Sequence, residues 1–78
     1  MSRRPKTEVA NVENRVEELR TKLNISRQEL ADLVNVHYQT MSYIERGEYS
    51  PSLGLALQIA DALKTPIDEI FWLVKEKS

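Results

Sequence analysis

The stretch that most constrains this chain is Arg27–Arg46, RQELADLVNVHYQTMSYIER. Apolar positions at helical spacing (Leu30, Ala31, Leu33, Val34) break off at Asn35-Val36-His37, and a second helical run carrying Met41 and Ile44 begins within a few residues. A connection this short cannot return the chain antiparallel, so the two helices must cross steeply, and Ala31 is the small side chain that lets their backbones approach. The turn requires a left-handed residue, a conformation that Asn35 tolerates best after glycine. Two helices joined this way form the helix-turn-helix unit, whose second helix reads DNA.

The flanks extend the helical pattern. Val12, Val16, Leu19 and Leu23 recur at steps of three and four, predicting a first helix from about Asn11 to Leu23 that stops at Asn24. Ser26 followed by Glu29 has the spacing of a capping box for the second helix. Gly47 closes the third helix, Glu48-Tyr49-Ser50 form a loop ended by Pro51, and Ser52 caps a fourth helix, Leu53 to Leu63, apolar round most of its circumference. Lys64-Thr65-Pro66 stops that helix, and Thr65 is placed to cap a short fifth, Ile67 to Phe71. Ile70 and Phe71 should close the core, leaving Trp72 and Val74 outside. The run Phe71–Glu76 also alternates well enough to form a strand, with Glu8–Val12 as its partner.

The blocks QELA, QTMS, IERG and PSLGLALQIA, in that order, resemble the Cro/repressor-type (XRE) helix-turn-helix family over about Asn11 to Phe71. The resemblance implies an all-α, compact five-helix lambda-repressor-like DNA-binding domain over residues 8–78, with a small terminal β-ribbon as the variant and a C-terminal dimerisation segment. Two positions depart from the family pattern. Asn35 stands in place of glycine, a mild change, and His37 in place of serine, which removes the usual hydroxyl cap of the third helix.

The same resemblance carries base reading onto Tyr38, Gln39, Ser42 and Tyr43. The residues themselves suit that role: Gln39 can bond adenine bidentately, and the tyrosines can meet phosphate or a thymine methyl, although Tyr43 can equally pack on the neighbouring loop. Arg27 and Gln28 sit at the positive end of the second helix, which favours an anion, and His37, Arg46, Tyr49, Ser50 and Ser52 complete the candidate phosphate contacts. The alternatives are a capped surface helix and an ordinary helix–helix connection. The family also implies an ion pair between Glu45 and a basic residue of the first helix, by position Arg20. Trp72 and Val74, apolar beside a rim of charge, are candidates for a dimer interface, the alternative being that Trp72 folds over the first helix.

Charge fits this assignment by its distribution. The net charge is −1, but residues 1–27 hold seven basic against four acidic side chains, and residues 28–78 hold four against eight. DNA answers to the local potential at the contacting face rather than to the total. Residues 1–7, with Arg3, Arg4 and Lys6, read as a flexible basic arm, either touching DNA or a solvated tail. Seventy-eight residues are one domain and leave no room for a separate small-molecule effector domain. There is no cysteine, His37 is the only histidine, and no nucleophile–base pair or Gly-rich loop appears, so neither a catalytic site, a metal site nor a cofactor is expected. With no apolar run long enough for a bilayer and no signal peptide, the expected setting is the cytoplasm. The sequence thus reads as a dimeric transcriptional regulator binding double-stranded DNA at an inverted repeat, most simply a repressor. The alternatives are an antitoxin-type protein-interaction module and a restriction–modification controller.

Overall fold

Short helices leave a large share of their backbone groups without internal partners, so their ends decide whether they form. In the computed structural model, which describes residues 12–74, the order of elements is β1 (Val12–Asn14), α1 (Val16–Lys22), α2 (Arg27–Leu33), α3 (Tyr38–Glu45), α4 (Leu53–Leu63), one 3-10 turn (Ile67–Glu69) and β2 (Phe71–Leu73). All four α-helices end in the same motif. After α1, Asn24 takes φ 61°, its amide donates to the Thr21 carbonyl at 3.0 Å, and the Ile25 amide donates to the Arg20 carbonyl at 2.9 Å. The same pair of bonds follows α2 at Asn35 (φ 57°), α3 at Gly47 (φ 76°) and α4 at Lys64 (φ 53°).

The helix starts are less uniform. Ser26 Oγ accepts from the Glu29 amide at 3.0 Å while Glu29 Oε1 accepts from the Ser26 amide at 2.8 Å, a complete capping box. Ser52 Oγ accepts from the Leu55 amide at 3.1 Å. His37 occupies the cap position of α3 in an extended conformation and makes no side-chain cap bond.

The first helix begins later than its periodicity predicts. Asn14 sets the start: its Oδ1 accepts from the Val16 amide at 2.9 Å and its Nδ2 donates to the Ile44 carbonyl at 2.8 Å. Residues before it are free to be extended, and Val12 therefore lies in a strand rather than a helix. The ribbon is antiparallel, with Val12 opposite Leu73, Glu13 opposite Trp72 and Asn14 opposite Phe71. The observed strand Val12–Asn14 shares only Val12 with the Glu8–Val12 stretch expected to pair. The rest of that stretch, the basic arm at residues 1–7 and the end of the Phe71–Glu76 run lie outside the described residues.

No fifth α-helix forms. Ile67–Glu69 is a single 3-10 turn closed by Glu69 N–H to Pro66 C=O at 2.9 Å and Ile70 N–H to Ile67 C=O at 3.0 Å. Continuation is prevented because the Ile70 carbonyl accepts from the Arg15 amide at 3.0 Å and Phe71 is already paired in the ribbon. Thr65 does not cap this turn; its hydroxyl donates to the Leu63 carbonyl at 2.9 Å, and Pro66 holds the cap position. Over the described residues the architecture is therefore four α-helices with the small terminal ribbon that the expectation allowed for, and the expected fifth helix is a single 3-10 turn.

The core is made by Val16, Leu30, Ala31, Val34, Met41, Ile44, Ile59, Ala60, Leu63 and Ile70, drawn from every helix and from the segment before β2. The fourth helix, apolar nearly all round, buries one face (Ala56, Ile59, Ala60, Leu63) and leaves Leu53 and Leu57 exposed. Lys64 is the least suited residue at a helix end, since a side chain bearing a Cβ pays for left-handed φ. Lys64→Gly should raise stability by about 1 kcal/mol, moving the thermal midpoint up by roughly 4–8 °C. A thermal melt followed by circular dichroism measures this directly.

Candidate nucleic-acid interface

Met41 and Ile44 are fully buried and fix the inner side of α3. Helical geometry then turns Tyr38, Gln39, Tyr43 and Arg46 outward, all exposed, with Ser42 half-buried beside them. Four of these five are uncharged hydrogen-bonding side chains, and the fifth is an arginine.

The only carboxylate on α3 is turned away from that face. Glu45 has a side chain 1% exposed and accepts from Arg20 through both oxygens, Nε to Oε2 at 2.7 Å and Nη2 to Oε1 at 3.2 Å. A third contact joins the pair: Arg27 Nε donates to Glu45 Oε1 at 2.9 Å. The Arg20 side chain is 11% exposed and that of Arg27 27%. Arg20 Nη1 also donates to the Ile25 carbonyl at 3.3 Å, so one cluster joins α1, the turn after it, α2 and α3. No buried side-chain nitrogen or oxygen among the described residues lacks a partner. Hydrogen bonding to Glu45, opposed by burial and aided by Tyr38, raises the Arg27 pKa above its ordinary value.

Arg27 Nη1 donates to the Tyr38 hydroxyl at 3.1 Å, and its guanidinium carbon lies 5.4 Å from the Tyr38 ring centre. At the other end of α3, the Arg46 guanidinium lies 5.1 Å from the Tyr43 ring centre and pairs with Glu48 at 3.2 Å. Gln28 donates to Asp32 on the surface of α2 at 3.0 Å. His37, Tyr49, Ser50 and Ser52 are all exposed, His37 before α3 and the other three in the connection that follows it. The cation–Tyr38 contact and the link from Arg27 to Glu45 are absent from the sequence reading, which has Arg27 as a phosphate contact alone. The partners lie 11 and 18 residues away, beyond any local signal.

Away from α3, Trp72 and Val74 stand on the ribbon, 42% and 38% exposed, and Leu73 between them is exposed further, at 58%. Alternation along a strand picks out every second residue. Successive strand residues point to opposite faces, so Leu73 stands exposed on the other side of the ribbon from Trp72. No group of His, Cys, Asp or Glu among the described residues is arranged to hold a metal, and no helix among them is long and apolar enough to cross a membrane.

A capped α2, a tight left-handed turn and an α3 whose outward face is uncharged or basic define a helix-turn-helix protein. The chain belongs to the HTH_3 helix-turn-helix family of XRE-type regulators, whose model matches residues 16–70. It is 42% identical over 65 residues to the uncharacterized HTH-type transcriptional regulator YgzD of Bacillus subtilis (strain 168), covering 83% of this chain and 98% of that one. An uncharacterized HTH-type transcriptional regulator of Archaeoglobus fulgidus is 40% identical over 63 residues, covering 81% of this chain and 89% of the relative. Among solved structures, the restriction-modification controller protein C.AhdI from Aeromonas hydrophila superposes with a TM-score of 0.66 at 34% identity, covering 70% of this chain and 83% of that one. These matches place the fold with the lambda-repressor-like domains.

Because Glu45 is buried against two cations, removing its inner partner leaves a charge half-compensated. Arg20→Ala should cost about 3 kcal/mol. Arg27→Ala, from the more exposed partner, should cost about 1 kcal/mol. Chemical denaturation of the two variants beside the parent checks both the size and the order.

Proposed function

We propose that this protein is a sequence-specific DNA-binding transcriptional regulator that lays α3 in the major groove and acts in the cytoplasm as a homodimer, repressing by occupying an inverted-repeat operator. The observation that carries this reading is the outward face of α3. Tyr38, Gln39, Ser42, Tyr43 and Arg46 line it, while the helix's one carboxylate is withdrawn into the fold against Arg20 and Arg27. A face cleared of negative charge suits a polyanion, and its amide and hydroxyl groups suit the donor and acceptor edges of bases.

Tyr38, Gln39, Ser42 and Tyr43 read bases in this proposal. Gln28, His37, Arg46, Tyr49, Ser50 and Ser52 meet phosphates on either side, and Arg27 lies at the same margin. The exposed Trp72 and Val74 join two protomers, which sets two copies of α3 about 34 Å apart on one side of the duplex. A second reading, control of a restriction–modification system, is favoured by the 34% identity and TM-score of 0.66 to the C.AhdI controller. It differs from the first in the genes controlled rather than in the way DNA is held.

Selection from a random duplex pool at near-physiological salt should enrich an inverted repeat with half-site centres about one helical turn apart. Gln39→Ala should then cost about 1–3 kcal/mol of binding and relax preference at one base pair per half-site. A variant with unchanged preference would mean that α3 does not read the bases. Trp72→Ala should shift the protein toward monomer in sedimentation velocity and weaken operator binding at low concentration, leaving the melting transition cooperative.

A further inference from the structure

The two arginines at the ends of α3 hold their tyrosines in different ways. Arg46 is tied to Glu48, and both side chains of that pair are more than half exposed, so neither fixes the other. Arg27 is tied to Glu45, whose side chain is buried, and reaches from there to the Tyr38 hydroxyl. The position of Arg27 is therefore set by the interior, and that of Tyr38 by Arg27. A guanidinium can only donate hydrogen bonds, so the Tyr38 oxygen accepts in this contact. The hydroxyl hydrogen is then directed away from Arg27, toward whatever faces the exposed side of Tyr38.

We propose that Arg27 is a positioning residue for base reading: by occupying the acceptor side of the Tyr38 hydroxyl, it makes Tyr38 a hydrogen-bond donor that selects a base edge presenting an acceptor. In the major groove those edges are N7 and O6 of guanine, N7 of adenine and O4 of thymine, whereas cytosine presents its amino group, itself a donor. The base facing Tyr38 is thus anything but cytosine. This inference rests on the DNA-binding reading and goes beyond it, assigning polarity to one contact and a role to a residue that does not itself touch the base.

The test compares the parent protein with Arg27→Lys and Tyr38→Phe in the same random-pool selection, each verified as folded by thermal melt. Lysine keeps the charge and can pair with Glu45, but its compact ammonium lacks the planar fork that spans two acceptors. The parent should disfavour cytosine by roughly tenfold at one position per half-site. Both variants should lose that bias at that position, with the double variant losing no more than either alone and the dependence of binding on salt unchanged. Retention of the parental bias by Arg27→Lys would overturn the proposal. So would a uniform weakening of all sequences by Arg27→Ala with a salt slope smaller by about one, the signature of a phosphate contact. If the folded parent enriches no sequence, the DNA-binding reading fails and takes this inference with it; enrichment without a cytosine bias at the Tyr38 position overturns this inference alone.

Discussion

The fold depends on the burial of one carboxylate. Glu45 sits at the last turn of α3 with its side chain almost wholly out of solvent, held by Arg20 from α1 and Arg27 from the first turn of α2. An ionised group in such a place is tolerated only when its partners are well aligned, and the two-pronged contact from Arg20 meets that demand. Any shift of one helix against the others pulls a charge off its partner. Desolvation offsets much of the attraction in such a cluster, so its main contribution is to fix the relative orientation of the three helices. The same burial clears the outward side of α3 of negative charge. One side chain therefore serves both the packing and the surface.

Much of the fold was legible because helix ends are written locally. Asn24, Asn35 and Gly47 are the residue types that accept left-handed backbone, and each does so where the apolar period breaks. Ser26 with Glu29, and Ser52, cap as their spacing says. Lys64 takes the same backbone conformation without any signal in its side chain, because the bonds to Ala60 and Asp61 impose it. The errors have the opposite origin. Val12, Val16, Leu19 and Leu23 keep helical spacing, yet a bond from Asn14 to a carbonyl 30 residues away decides where the helix begins. Likewise Ile67–Phe71 has the length and the proline of a helix start, and the backbone of Arg15 and the pairing of Phe71 end it after one turn.

The candidate site shows the same division. Its outward side chains follow from the position of Met41 and Ile44 on one helix face, a purely periodic argument. The Arg20–Glu45 pair came from family resemblance, since nothing in the spacing of two residues 25 apart announces a contact. The role of Arg27 was not legible at all. Its place at the start of α2 suggests an anion site, and only the three-dimensional approach of α2 to α3 shows that most of its reach is spent on Glu45 and Tyr38.

The missing hydroxyl at His37 acquires a different meaning beside these contacts. A helix of eight residues without a side-chain cap is prone to fray from its first turn. Here α3 is instead gripped from outside at both extremities: Tyr38 is held by Arg27 at the front, and the Ile44 carbonyl is held by Asn14 at the rear. It behaves as a beam clamped at two supports that belong to different parts of the chain. The rear support is itself a residue of the ribbon, one position along from the residue paired with Trp72. The ribbon is thus coupled to the end of α3 that Glu45 already locks against Arg20 and Arg27, so ribbon and α3 are carried as one body.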